Sequence, residues 1–239
     1  ACPNRCALVR SESALMTRLP DQVDLLVIGA GAGGMTAALT GALEGLSVLL
    51  VEKCDVLGGT SARSAGSIWL PNTHLDPNSD DSFDNALTYL RAAVGNRLDE
   101  TRASAFLKAA PEMALRLEQE ADLALRAYPH HPDYLASLEG ATLSGRVLEP
   151  VPFDAAILGD RFADIAPPLP EFTLLAGMMV DRVDIGHLLN ATKSPKSLLH
   201  TAKMVARYGL DRLQHRRGRR LVMGNALIGR LYHALLNKG

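Results

Sequence analysis

Val23-Asp24-Leu25-Leu26-Val27-Ile28-Gly29-Ala30-Gly31-Ala32-Gly33-Gly34-Met35 reads as a strand that enters a glycine turn and leaves it as a helix. Val23–Ile28 is short and rich in apolar residues, as a buried parallel strand is. The glycines follow at the spacing G-x-G-x-x-G, as Gly29, Gly31 and Gly34. The first permits the tight turn. The second lets backbone approach a pyrophosphate with no Cβ in the way, and the third lets the helix pack closely on the strand. Met35–Glu44, rich in alanine and leucine, predicts a helix that Gly45 ends. Ser47–Val51 predicts a second buried strand. Together they make a βαβ unit, whose crossover is expected to be right-handed.

In such a unit Gly29, Ala30, Gly31, Ala32, Gly33 and Gly34 offer backbone N–H groups to phosphate oxygens at the positive end of the helix. Glu52 closes the second strand. A carboxylate there accepts hydrogen bonds from both ribose hydroxyls of an adenosine and repels a 2′-phosphate, which disfavours NADP. A Walker loop is excluded because Gly34 is followed by Met35 and Thr36 rather than by Lys and Ser or Thr. The lysine and valine partners of a kinase loop are missing. NAD and FAD both remain open on these residues.

Working outward, the chain has 239 residues, 47% of them apolar and 21% charged. This composition is that of a globular chain and excludes a disordered tail, a collagen repeat or a disulfide miniprotein. Lys and Arg number 25 against 26 Asp and Glu, a net charge of −1. That balance argues against a dedicated binder of nucleic acid or of a membrane surface. Cys2, Cys6 and Cys54 form no disulfide framework, so a reducing, cytoplasmic setting is expected. Residues 25–43 carry no charge but contain five glycines, so they are read as the buried strand–turn–helix and no transmembrane segment is expected.

Residues 1–17 show no clean period and are read as a disordered or extraneous tail. Residues 57–82 read as an extended loop region. Helical periodicity covers 83–94 and 100–122, the latter divided by Pro111. Residues 127–172 hold most of the prolines and no sustained period. Helices are expected again over 184–191, 196–207 and 224–236.

After Glu52 the chain reads Lys53-Cys54-Asp55-Val56-Leu57-Gly58-Gly59-Thr60-Ser61, then Arg63-Ser64-Ala65-Gly66-Ser67-Ile68-Trp69. This stretch resembles the flavoproteins of the fumarate reductase and succinate dehydrogenase superfamily. Their longer flavin fingerprint is matched by Ala38 and Gly45. Ala86–Gly95, Tyr128–Tyr134, Gly145-Arg146 with Pro150, and Arg217–Leu227 are similar to the 3-ketosteroid Δ1-dehydrogenase branch of that superfamily.

The resemblance implies FAD as cofactor. It places Gly58, Gly59, Thr60, Ser61, Ala65, Gly66 and Ser67 on the flavin side, with Lys53 beside Glu52 also binding the cofactor. It implies an α/β fold: an FAD-binding, Rossmann-like half-domain over 18–75, a helical and irregular insertion over 76–215 leading to a substrate domain, and a helix over 216–239 returning to the FAD domain. The sheet is expected to be unfinished at Gly239, so that the chain is the N-terminal part of an enzyme with little activity by itself.

The reaction the resemblance implies removes a proton and a hydride from adjacent carbons beside a ketone. Tyr134 matches an active-site tyrosine of the branch; the residues alone equally allow a tyrosine anchoring a proline-rich loop. The substrate expected is a steroid-like ketone or an organic acid, with an unknown electron acceptor. A fumarate-reductase-like enzyme acting on small dicarboxylates and a non-catalytic nucleotide-binding chain stay as alternatives.

Other constellations are set aside. His130-His131-Pro132-Asp133 lacks supporting ligands, so no metal is expected. The arginines of Arg212–Arg220 have no aromatic interleaving and read as a solvated loop, so no nucleic acid is expected. Asn190-Ala191-Thr192 has no secretory context, and no Gly-x-Ser-x-Gly elbow is present.

Overall fold

The computed structural model describes residues 6–10, as backbone, together with 20–76 and 81–238. In chain order the elements are β1 (Cys6–Arg10), β2 (Leu25–Ile28), α1 (Ala32–Leu43), β3 (Val48–Glu52), α2 (Gly59–Ala62), β4 (Ile68–Trp69), α3 (Phe83–Val94), α4 (Glu100–Ala121), β5 (Leu125–Ala127), β6 (Val147–Pro150), β7 (Phe153–Asp154), β8 (Thr173–Leu174), β9 (Met178–Met179), α5 (Arg182–Leu189), α6 (Pro195–Arg212), β10 (Arg220–Leu221) and α7 (Met223–Lys238). They fall into two compact units. One runs to Gly66 and resumes at Pro152; the other is Ser67–Val151.

The expected βαβ unit is the heart of the first unit. Strands β1, β3 and β2 form a parallel sheet in that order, with Leu25 opposite Val48 and Ile28 opposite Val51. Val48, Leu49 and Leu50 of the central strand are buried, as are Met35, Ala38 and Leu39 of α1. Gly45 takes a φ of +80° directly after the helix, a conformation that suits glycine.

Two expectations change here. Strand β2 is not buried on both faces: Val27 is buried, while Leu26 and Ile28 are 53% and 81% exposed. A parallel strand is apolar on both sides because both are meant to be covered. The apolar run therefore shows what β2 is suited to contact, and among the described residues one face is uncovered. Of the tail expected over 1–17, residues 1–5 and 11–17 lie outside the described residues, but Cys6–Arg10 is a strand paired in parallel with β3. A three-residue apolar run, Ala7-Leu8-Val9, is too short to show a period yet long enough for an edge strand.

Residues from Pro152 onward join this unit rather than the insertion expected over 76–215. The reason is pairing and packing at long range. β7 pairs antiparallel with β10, and α7 packs on α1 and α2. The helix expected over 224–236 is α7, buried at Ala226, Leu227, Ile228, Leu231 and Tyr232. Tyr232 donates to Asp164 Oδ2 at 2.5 Å. Arg217 donates to the carbonyls of Ile165 and Ala166 and to Asn225 Oδ1, with its guanidinium 4.5 Å from the Phe162 ring centre. Burial among these neutral groups pushes the Arg217 pKa down to about 10.

Helix α5 opens with a reciprocal cap: Asp181 accepts from the Asp184 N–H, and Asp184 accepts from the Asp181 N–H. Burial would raise the Asp184 pKa. Hydrogen bonds from the Asp181 backbone and His200, with the charge of Arg220, outweigh that and hold it below the ordinary value.

In the second unit β4, β6 and β5 form an antiparallel sheet, and α3 packs on α4. Ser82 caps α3 by accepting the Asn85 N–H, and Asp99 caps α4 by accepting the Arg102 N–H. Pro111 does not divide α4, which runs unbroken from Glu100 to Ala121. Proline removes one helix hydrogen bond. The face carrying Leu107, Ala114 and Leu117 stays buried on both sides of it. Within the expected loop of 57–82, Gly59–Ala62 is a helical turn and Ile68–Trp69 a short strand.

Candidate functional site

The glycine turn joins the end of β2 to the start of α1. Gly29 takes a φ of +100°, the freedom the turn needs. Gly34 is held by packing, since a Cβ there would collide with the Gly29 carbonyl. Gly31 is different. It stands at the N-terminus of α1, which has no side-chain cap, and a Cβ on it would come no nearer than 3.8 Å to any protein atom. A Cβ there would make ordinary contacts with Ser61 and Gly58, so packing within the chain does not require glycine at 31. A helix N-terminus without a side-chain cap suits a pyrophosphate.

Glu52, at the end of β3, reaches across to this turn. Its Oε2 accepts the Ala30 N–H at 2.8 Å and its Oε1 accepts the Cys54 N–H at 3.0 Å. Partial burial would raise the pKa of its carboxyl, but the hydrogen bonds from Ala30, Cys54 and Lys53 prevail and lower it. The ionised form is therefore the one the fold favours. Its stabilising effect is complete above the ordinary glutamate range, near ~4.3, and is lost as pH falls through the lowered value. A Gln at 52 would turn one amide N–H toward a backbone N–H. Thermal midpoints measured from neutral to acid pH are expected to fall more steeply for the parent than for Glu52→Gln, the two converging at the acid end.

Gly58–Ser61 closes the other side of the turn. The Gly58 N–H donates to Ala30 O at 2.8 Å, and Ser61 Oγ accepts the Ala32 N–H at 3.2 Å. Gly58 and Gly66 take φ of +108° and +72°. A Cβ on Gly58 would press on Ala62 and Ile228, and one on Gly66 would press on Met223 and Gly224. Both are thus explained by close packing against α7, whereas Gly33 and Gly59 face open space. Lys53, Thr60 and Ala65 are exposed.

The structure therefore brings Gly29–Gly34, Glu52 and Gly58–Ser61 together. Reading the sequence missed the residues that brace them. A Cβ on Gly224 would collide with the Ser61 carbonyl, and Asn225, wholly buried, donates to Ala62 O at 2.6 Å. The signal was the run Gly224-Asn225 at the head of the helix expected over 224–236.

Ser67 belongs to the second unit, where it lines a cavity of about 290 Å³ with Trp69, Tyr89, Leu90, Tyr134 and Val147. Tyr134 is 96% exposed. Beneath the cavity lies a network that was not anticipated. Arg146, with no exposed surface, donates through Nε and one terminal nitrogen to Asp81 and through the other to Asp133 Oδ2 at 2.7 Å. Asp133 also accepts from Trp69 Nε1 at 2.8 Å and from the Thr142 N–H. The guanidinium lies 5.4 Å from the Tyr89 ring centre. These bonds fix the residue before Tyr134 and the indole of Trp69. Among the described residues no group of three or more His, Cys, Asp or Glu side chains could hold a metal. No described helix is long and apolar enough to cross a membrane.

Residues 24–239 match the family described as FAD binding domain. The chain is 36% identical over 206 residues to a 4-oxocyclohex-2-ene-1-carboxylate 5-dehydrogenase of Sinomonas cyclohexanicum, covering 86% of this chain and 35% of that one. It is 34% identical over 221 residues to a 3-oxosteroid 1-dehydrogenase of Mycolicibacterium smegmatis, covering 91% and 38%. Among solved structures it is similar to the 3-ketosteroid delta1-dehydrogenase of Sterolibacterium denitrificans in complex with 1,4-androstadiene-3,17-dione. That match has a TM-score of 0.78 and 41% identity, over 90% of this chain and 39% of that one. The chain thus spans between a third and two fifths of the length of these relatives.

Proposed function

The chain belongs to the FAD binding domain family, and from that membership we propose that it serves an FAD-dependent oxidation of a carbon–carbon bond beside a ketone in a cyclic substrate. The observation that carries the cofactor part is the uncapped N-terminus of α1 at Gly31, in a glycine turn that Glu52 ties to the second strand. Glu52 would hold the ribose hydroxyls, the N-terminus of α1 the pyrophosphate, and Gly58, Gly59, Thr60 and Ser61 the chain beyond it, with Lys53, Ala65 and Gly66 alongside. Bound FAD supplies a two-electron acceptor for the hydride. Everything else falls to side chains.

In the second unit Tyr134 is the proposed proton acceptor, with Ser67 on the same cavity. A tyrosine acting near neutral pH needs a neighbouring donor or a dry setting, because its free pKa is about 10. Trp69, Tyr89, Leu90 and Val147 give the cavity an apolar lining suited to a ring. A dicarboxylate substrate is disfavoured there, since Arg146 is already committed to Asp81 and Asp133.

The test is the visible absorption of the chain after FAD is added and unbound flavin removed by gel filtration. A flavin band travelling with the protein is expected; a colourless protein overturns the cofactor assignment. Trp69 is the single tryptophan and lines the cavity. Adding 1,4-androstadiene-3,17-dione is therefore expected to quench its emission in a saturable way. Emission unchanged by the dienone, in a chain that does retain FAD, overturns the substrate assignment alone.

A further inference from the structure

The loop from Asp133 to Thr142 is tied at both ends, yet it leaves one aromatic side chain in the open. Its ends are bonded to each other: the Asp133 N–H donates to the Thr142 carbonyl, and the Thr142 N–H donates to Asp133 Oδ2, both at 3.0 Å. Its return limb lies against α3. Gly140 takes a φ of +75°, and a Cβ there would collide with the Asn85 carbonyl and the Tyr89 nitrogen. Tyr134, the second residue of this loop, is nonetheless 96% exposed. A tyrosine that anchored the loop would bury its ring. Tyr134 is therefore not the anchor; it is displayed on backbone that other residues hold.

The side chain that holds it next in sequence is Tyr89. This residue stands on the stretch of α3 that receives Gly140, is buried, and lines the same cavity as Tyr134. Its hydroxyl oxygen accepts the Leu135 N–H at 3.4 Å. That N–H belongs to the peptide group leaving Tyr134. Tyr134 thus lies between two fixed points: Asp133 before it, bonded to Arg146 and Trp69, and the Leu135 amide after it. The ring of Tyr89 needs no hydroxyl for its other contacts. It faces the Arg146 guanidinium and lies 6.2 Å from the Trp69 ring, and phenylalanine would meet both equally.

We propose that Tyr89 is a positioning residue for Tyr134: by holding the amide that follows it, the Tyr89 hydroxyl keeps the Tyr134 phenol aimed into the cavity. This rests on the reading of Tyr134 as proton acceptor. A base works only within hydrogen-bond reach of the proton it takes. The planar peptide groups leave Tyr134 two soft backbone dihedrals, and fixing the groups on both sides restrains them. One neutral hydrogen bond adds little to overall stability. Its loss is to be read at Tyr134 and Leu135, not in the unfolding midpoint.

Nuclear magnetic resonance of the 239-residue chain, with labelled amides and labelled tyrosine, tests this in Tyr89→Phe. The Leu135 amide is expected to exchange with solvent about five-fold faster than in the parent. The Thr142 amide, which is bonded to Asp133, is expected to keep its rate and serves as the reference. Tyr134→Phe assigns the Tyr134 ring signal. Adding 1,4-androstadiene-3,17-dione is expected to shift that signal in the parent and to shift it much less in Tyr89→Phe, with Trp69 emission quenched in both. Tyr89→Leu removes ring and hydroxyl together and is expected to speed exchange at Leu135 and Thr142 alike, as a purely structural loss does.

Three results overturn the proposal: Leu135 exchange unchanged in Tyr89→Phe; exchange at Leu135 and Thr142 raised equally in that variant; or a Tyr134 signal that answers the dienone there as it does in the parent. The exchange measurement needs no ligand. A dienone that leaves Trp69 emission unchanged in every chain therefore overturns the substrate reading, and amide exchange alone then decides the role of Tyr89.

Discussion

Arg146→Met is expected to destabilise the Ser67–Val151 unit by about 3–5 kcal/mol, the usual cost of removing one partner from a buried ion network. The side chains of Asp81 and Asp133 are 2% and 1% exposed, so neither can exchange the guanidinium for water. Methionine fills much of the same volume and returns none of the charge. Urea unfolding followed by Trp69 emission reads the loss directly, because the indole N–H donates to Asp133. Adding Asp81→Asn to the methionine variant is expected to recover part of the loss by removing one stranded carboxylate. Arg146→Lys is expected to fall between the two, since one ammonium cannot reproduce a fork that serves two carboxylates. A loss below about 1 kcal/mol would return the network to the class of surface pairs and sink the claim that it holds the cavity.

Gly34→Ala and Gly31→Ala are expected to separate fold from ligand. At Gly34 the added methyl meets the Gly29 carbonyl, so α1 and β2 must move apart. Both the apo stability and FAD affinity are expected to fall, the former by about 1–3 kcal/mol and the latter about 10- to 100-fold. At Gly31 the methyl meets no protein atom within 3.8 Å. The apo protein should keep its thermal midpoint, while FAD affinity drops by a similar factor because the methyl occupies the space assigned to the pyrophosphate. Gly33→Ala, in open space and one residue into the helix, is the internal reference. An unchanged flavin affinity in Gly31→Ala would remove Gly31 from its assigned role.

The parts of this protein that were legible in the sequence are those where cause and effect lie close together. A strand, a glycine turn, a helix and a second strand are specified within thirty residues, and the carboxylate of Glu52 follows from the strand end it occupies. The Arg146 network was not legible. Its bonds join residues 65 and 13 positions apart, and the indole bond spans 64. No local pattern announces which buried arginine meets which aspartate. Pro111 misled for a related reason: propensity counts one lost hydrogen bond, while the buried face on either side settles the outcome.

Helix α6, with Leu198, Leu199 and Leu210 exposed, shows a subtler limit. Helical periodicity states that apolar residues share a face; it is silent on whether protein or solvent lies against that face. The overall charge of −1 is silent in the same way, because a sum over the chain cannot see that Asp184 and Asp211 are buried while Lys196 and Lys203 are exposed.

The close approach of Gly224 to Ser61 has a consequence for the order of events on the ribosome. The segment Ser67–Val151 is continuous and can fold once it has emerged. The unit that flanks it cannot. Its turn at Gly58–Ser61 rests on α7, which is synthesised only after the whole of Ser67–Val151. The intervening chain must be closed as a loop before those contacts repay it. The nascent chain therefore carries its glycine turn through the synthesis of Ser67–Val151 without the helix that shapes it, and competence to capture a nucleotide does not arrive before α7 does.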